Sequence, residues 1–301
     1  MKETAITADL LRRLPLPQPA EDGDKDQRGR VLVIGGSLAV PGAALLAATA
    51  ALRAGAGKLQ IATCRSLALP LGLAVPEALV IGLAETEAGE IDPDATPFLR
   101  ERIARCDAAL IGPGMIAEDV AATLTASILA CEPGPAFVLD AGALGQLKDL
   151  RGVLARHDGR MVITPHAGEM ANLIGISKSE VLSNPAEIAG ETARLLNCVV
   201  ALKGARTYIA SPDGEQWAYS DGNVGLATSG SGDTLAGIIA GLLARGVAPS
   251  QAAQWGVYLH GEAGNRLARA QGRLGFLARE LLAEIPSIMA GFDQPLLEVG
   301  A

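Results

Sequence analysis

The sequence predicts an α/β protein: one mostly parallel sheet covered by helices on both faces, with an antiparallel hairpin at one edge. Two observations predict this. Short apolar runs of strand length alternate with helical segments over most of the chain, the rhythm of βαβ units whose buried strands need crossover helices. Several of those runs end in glycine-bearing turns, and from Ser231 onward the chain reads as helix alone.

The elements follow in order. Residues 1–29 are polar and proline-containing, an arm with a short helix near 7–14. Residues 30–34, Arg-Val-Leu-Val-Ile, read as a buried strand running into Gly35-Gly36-Ser37. Residues 41–52 form an Ala/Leu helix, with Pro41 at a tolerated first-turn position. Further short apolar strands are expected at 58–63, 78–81, 108–111, 137–139, 162–164 and 199–202. Residues 207–210 and 216–220, joined by Ser211-Pro212-Asp213-Gly214, read as the edge hairpin. Helices are expected at 235–244, 250–268 and 276–285. No linker, repeat or low-complexity segment interrupts the chain. The expected organisation is an arm over 1–25, one domain over 26–290 and a tail over 291–301.

Composition narrows the function classes. At 49% hydrophobic but only 3% aromatic, the 301-residue chain builds an aliphatic core. A net charge of −8 without a basic run argues against nucleic acid or an anionic membrane as partner. The four cysteines, Cys64, Cys106, Cys131 and Cys198, are far apart, as suits reduced thiols and a cytoplasmic location. The apolar stretch 67–83 is broken by Pro70 and Pro76, so no membrane span is expected.

Residues 223–237 carry the strongest chemical signal: Asn-Val-Gly-Leu-Ala-Thr-Ser-Gly-Ser-Gly-Asp-Thr-Leu-Ala-Gly. Gly230, Ser231 and Gly232 let the backbone approach a ligand, and the helix that follows offers free first-turn amides to an anion. Asp233 in that first turn can take a proton from a hydroxyl attacking a bound phosphate. The bland alternative is an ordinary helix start capped by Ser231 or Asp233. A lone acid between glycines and a long buried helix favours the chemical reading.

In open parallel sheets, ligands sit beyond the carboxyl ends of the strands. Gly35–Ser37, Gly112-Pro113-Gly114, Asp140-Ala141-Gly142, Thr164-Pro165-His166-Ala167-Gly168-Glu169 and Lys203-Gly204-Ala205-Arg206 all follow expected strands, so together they outline a pocket. Asp140 either ligates Mg²⁺ through water or caps the next helix. Pro165 is expected to keep a helix from starting at His166, which is either a core histidine or a ligand contact, with Gly168 and Glu169 favouring the latter. Lys203 and Arg206 are the best-placed cations for phosphate, or else belong to a solvated turn. Neither Gly-x-Gly-x-x-Gly nor Gly-x4-Gly-Lys-[Ser/Thr] is present, which removes a Rossmann NAD site and a P-loop.

Taken together, these motifs resemble the ADP/ATP-dependent NAD(P)H-hydrate dehydratases of the ribokinase-like superfamily. Further matching pieces are Pro41-Gly42-Ala43, Ala54-Gly55-Ala56-Gly57, Val138-Leu139-Asp140-Ala141, His260-Gly261-Glu262-Ala263-Gly264 and Gly275-Phe276-Leu277-Ala278. The resemblance runs in order from about residue 25 to 286. It implies a ribokinase-like three-layer sandwich and repair of hydrated NADH and NADPH (NADHX and NADPHX) using ADP, or ATP, with Mg²⁺. A ring hydroxyl is phosphorylated and phosphate is then eliminated. By resemblance Asp233 is the base and Gly232 belongs to the anion hole. Lys203, Gly204, Ala205, Arg206, Thr207 and Gly232 line the adenine nucleotide, while Ala43, Gly114, His166 and Asp233 line the hydrated cofactor. No direct metal ligand is assigned beyond Asp140 through water. ADP is favoured over ATP, a homo-oligomer is expected, and a separate epimerase chain is the expected functional partner. Ser229 stands where glycine is common in the family, and Asn265 where aspartate is. Two other readings share the motif: a ribokinase-like kinase acting on a heterocyclic alcohol, and a nucleotide sensor without catalysis, against which the retained Asp233 speaks.

Overall fold

The computed structural model describes residues 3–20, 24–130 and 134–293. Among them, ten strands form one sheet: β1 Thr4–Ala5, β2 Arg30–Ile34, β3 Lys58–Cys64, β4 Ala78–Leu83, β5 Ala108–Ile111, β6 Ala136–Leu139, β7 Met161–Ile163, β8 Val199–Leu202, β9 Thr207–Ala210 and β10 Gln216–Tyr219. Their order is β1-β10-β9-β8-β7-β6-β5-β2-β3-β4. From β4 to β8 every neighbouring pair is parallel, and β9 and β10 add an antiparallel hairpin. Consequently β2, β5, β6, β7 and β8 all end on one rim. The parallel strands β2, β5 and β8 carry buried Val, Leu, Ile and Ala, because helices cover both faces.

One helical layer contains Pro41–Arg53, Ser231–Ala244, Pro249–Gln271 and Ala278–Asp293, packed on one another. Its closest approach is set by glycine. A Cβ on Gly237 would lie 2.2 Å from the Ala47 carbonyl oxygen, and one on Gly241 would lie 2.4 Å from that of Ala51. The Ser231–Ala244 helix is thereby held tight against Pro41–Arg53, which fixes Asp233 relative to the turn after β2. The other layer includes Glu118–Leu129, Ala167–Ile174 and Pro185–Leu196.

The expected arm is partly built into the sheet. β1 runs parallel to β10, the Ile6 amide donates to the Ala218 carbonyl, and Ile6 and Leu11 are buried. Trp255 Nε1 donates to the Leu14 carbonyl at 2.8 Å, tying this segment to the Pro249–Gln271 helix. A few apolar residues in a polar stretch are enough to dock it. Two prolines sit inside helices: Pro70 within Arg65–Ala74, a helix not foreseen in the sequence, and Pro286 within Ala278–Asp293, which runs past the end expected at 285. Packing outweighs the lost hydrogen bond in both, with Leu67 and Leu71 buried around one proline and Ile285 and Ile288 around the other. Cys64, Cys106 and Cys198 are buried free thiols, and burial raises them to about 11, 11 and 12. Cys131 and the expected tail beyond 293 lie outside the described residues.

Candidate active site

The five rim turns converge as expected, and a charged cluster sits among them. Lys203, just after β8, donates from Nζ to Asp140 Oδ1 at 2.8 Å and lies 3.7 Å from Glu169 Oε2. Asp140 follows β6, and its Oδ1 also accepts from Thr164 Oγ1 at 2.8 Å. Asp140 is 2% exposed, so this is a desolvated pair in which each partner depends on the other. Burial pulls the Lys203 ammonium down, but Asp140 and then Glu169 outweigh it and hold it above its ordinary value. Of the two sequence alternatives for Asp140, capping does not occur: its side chain makes no cap hydrogen bond. Ala141, next to it, is held at φ 48°, a left-handed conformation costing an alanine about 1–2 kcal/mol.

His166 corrects one expectation. It is the N-cap of the Ala167–Ile174 helix, with Nδ1 accepting from the Gly168 and Glu169 amides at 3.0 Å each. Glu169 Oε2 accepts in return from the His166 amide at 2.7 Å, closing a capping box. Pro165 restricts the residue before it, Thr164, and leaves a helix free to start after it. Glu169 also stands 3.5 Å from His166 Nε2, so one carboxylate touches both His166 and Lys203.

Asp233 enters from the opposite helical layer, in the first turn of Ser231–Ala244. Neither side chain proposed as a cap for this helix plays that part. The N-cap is Gly230 at φ 85°, a conformation that favours glycine, and it brings no side chain to the first turn. Gly232 faces the cluster: a Cβ built on it would lie 3.2 Å from Lys203 Nζ and 3.9 Å from Asp140 Oδ2. Burial, reinforced by the charge of Asp140, pushes the Asp233 carboxyl up to about 6, against the opposing pull of Lys203. It is therefore ionised near pH 7 with a raised proton affinity, the condition a general base requires.

A cavity of about 650 Å³ opens beside this helix start. Lys203, Gly204, Ala205, Thr207 and Gly232 line it, together with His166. Tyr219, Val224, Leu226, Leu235 and Val257 give it an apolar wall. Arg206 turns away: its guanidinium pairs with Glu3 and stacks 5.1 Å from the centroid of the Tyr208 ring. Beyond Asp140 and Glu169 lies a second cavity of about 400 Å³, lined by Glu118, Asp119, Ala141, Gly142 and Glu169 among others. Gly114 and Ala43 meet at the edge of the same rim. A Cβ on Gly114, at φ 73°, would sit 2.5 Å from the Val40 carbonyl oxygen and 3.0 Å from the Ala43 Cβ.

Three participants carried no individual role in the sequence reading. His260 lines the larger cavity and contacts Ser231. Asn223 donates to Asn265 Oδ1 at 3.0 Å, and Asn265 Nδ2 donates to the Asp221 carbonyl at 2.7 Å, which pins the loop carrying Val224. Helical spacing is the signal that finds His260, since Val257, His260, Gly261 and Gly264 share one face of the Pro249–Gln271 helix, whereas Asn223 lies on a loop and carries no such signal. Among the described residues no group of three or more His, Cys, Asp or Glu side chains could hold a metal ion by itself.

A glycine-capped helix start, a raised carboxylate and a half-buried lysine meet at the rim of a parallel sheet in a ribokinase-like fold, the class of enzyme the solved structures share. The chain belongs to the NAD(P)H-hydrate dehydratase family, whose profile matches residues 31–287. It is 50% identical over 94% of its length to the ADP-dependent (S)-NAD(P)H-hydrate dehydratase of Xanthomonas campestris, covering 95% of that protein. It is 42% identical over 94% of its length to a bifunctional NAD(P)H-hydrate repair enzyme of Moorella thermoacetica, and spans 53% of that longer chain. The crystal structure of the Bacillus subtilis ADP/ATP-dependent NAD(P)H-hydrate dehydratase, co-crystallised with ATP/Mg²⁺, superimposes with a TM-score of 0.80 at 30% identity, covering 97% of this chain and 99% of that one.

Proposed function

We propose that this protein removes water from (S)-NAD(P)H hydrate at the expense of ADP, a metabolite-repair activity carried by residues 26–290. The observation that carries the reading is the Asp233 carboxyl, raised to about 6 at a helix start that faces Lys203 and Asp140. Asp233 takes the proton of the ring hydroxyl as that oxygen attacks the terminal phosphorus of ADP, and AMP leaves. The ring then expels phosphate and gives up a proton from the adjacent carbon, restoring NAD(P)H. Hydrate plus ADP thus becomes NAD(P)H, AMP and phosphate. A hydroxide would be a poor leaving group, which is why a nucleotide is consumed.

The larger cavity fits the adenine nucleotide, with its base on the apolar wall and its phosphates toward Gly232 and Lys203. The hydrated cofactor fits the remaining rim, between Ala43, Gly114, His166 and Asp233. Arg206 has no part in holding the nucleotide in this reading, because Glu3 and Tyr208 occupy it. Asp140 Oδ1 is taken by Lys203 and Thr164, so a magnesium ion fits only through water on its other oxygen and through the nucleotide phosphates. Such an ion neutralises charge on the transferring group. Exposed Leu69 and Leu73 favour a homo-oligomer, and buried reduced thiols favour a cytoplasmic location. A separate epimerase chain is the proposed source of the S form.

The test is incubation of the purified protein with hydrated NADH, ADP and Mg²⁺, followed at the absorbance of intact NADH. Recovery that depends on ADP and yields AMP is expected. No recovery with either ADP or ATP would sink the proposal.

A further inference from the structure

Ser231 opens the helix that carries Asp233, yet its hydroxyl does not cap it. Ser231 Oγ and His260 Nε2 lie 2.8 Å apart, joining the Ser231–Ala244 helix to the middle of the Pro249–Gln271 helix. Both residues line the larger cavity, and Ser231 is 5% exposed. Burial drives the imidazole down to about 4, so His260 is neutral near pH 7.

A neutral imidazole and a hydroxyl can share one hydrogen bond in two ways. If Ser231 donates to Nε2, the serine turns only lone pairs toward the cavity. If Nε2–H donates to Oγ, the hydroxyl proton is left to point into the cavity. An anion bound at this corner would favour the second arrangement. Lys203 Nζ, the Gly232 backbone and the positive end of a helix all meet at this corner, and an anion drawn there gains from a further donor.

We propose that Ser231 donates its hydroxyl proton to the terminal phosphoryl group of the nucleotide, as a side-chain member of the anion hole, and that His260 is the positioning residue that holds the hydroxyl in that orientation. The inference rests on the ADP-dependent reading and adds to it. A hydroxyl is a free rotor, and pinning it before the ligand arrives removes reorganisation from the transfer step. AMP lacks the terminal phosphoryl group, so it does not meet Ser231.

Calorimetric titration of ADP and of AMP separates this role from a structural one. Ser231→Ala and His260→Leu are each expected to weaken ADP about 10- to 100-fold, the range of a hydrogen bond to a charged group. AMP affinity should stay close to wild type in both. His260→Gln, whose side-chain amide can still donate, should recover most of the loss, and Ser231→Ala/His260→Leu should be no weaker than Ser231→Ala alone. Equal losses for ADP and AMP, or multiplying losses in the double variant, would overturn the proposal. If His260→Leu is too unstable to titrate, Ser231→Ala decides, and an unchanged ADP-to-AMP affinity ratio overturns it. Wild-type turnover of hydrated NADH is read separately: a protein that binds ADP without turnover removes the dehydratase reading while the titrations still decide the role of Ser231.

Discussion

Replacing Asp233 with asparagine should abolish turnover and stabilise the fold at neutral pH. The carboxyl moves from 3.8 to about 6 on folding. At about 1.36 kcal/mol per pH unit, the folded chain carries roughly 3 kcal/mol of disfavoured negative charge above pH 6. A carboxyl whose pKa is raised on folding supports the fold fully below pH 3.8, and that support is lost as pH rises to about 6. Asparagine keeps the shape and removes the charge, so Asp233→Asn should recover about 1.5–3 kcal/mol near pH 7.5, some of the gain being offset by imperfect hydrogen bonding. For a chain of this length that is on the order of 2–4 °C in Tm per kcal/mol. Loss of a general base costs about 10²–10⁴-fold in rate. The assay pairs differential scanning calorimetry at pH 7.5 and pH 4 with NADH recovery. The Tm gain should shrink toward zero at pH 4, where wild-type Asp233 is itself protonated. Near wild-type activity would refute the assignment of the base, and a variant less stable than wild type at pH 7.5 would refute the electrostatic reasoning.

Three further outcomes are expected. The kcat/KM of the wild type should fall as pH drops through about 6, and Asp140→Asn should move that limb to lower pH by removing a like charge; an unmoved limb would detach Asp140 from the base. Lys203→Ala should raise the ADP KM about 10- to 100-fold and lower Tm, because Asp140 is left buried without its partner; adding Asp140→Asn should restore Tm but not ADP binding, and restoration of both would make Lys203 purely structural. Arg206→Ala should leave the ADP KM within about twofold of wild type, since the partly exposed pair with Glu3 contributes about 1 kcal/mol or less; a tenfold rise would return Arg206 to the nucleotide site.

Most of the fold was legible because local signals and tertiary structure agree. Strands β2, β5, β8 and β9 fall where the apolar runs place them, and β3, β4, β6, β7 and β10 within two residues; β1, in the expected arm, was not foreseen. Continuous apolar runs between helical segments leave little choice but a buried parallel sheet, and strand–glycine–helix turns place the functional rim at the strand ends. The helix that carries Asp233 in its first turn was readable from residue order alone. Tertiary structure decided what chain-distant groups do to one another. It pairs Lys203 with Asp140, gives Arg206 to Glu3, joins Ser231 to His260, and docks Ile6 beside β10. Each of these is a desolvated or side-chain contact between elements far apart in the chain. Sequence spacing along one helix or strand carries no record of which side chain on another element will meet it; that is set by sheet order and by the close glycine-mediated packing of Ser231–Ala244 on Pro41–Arg53.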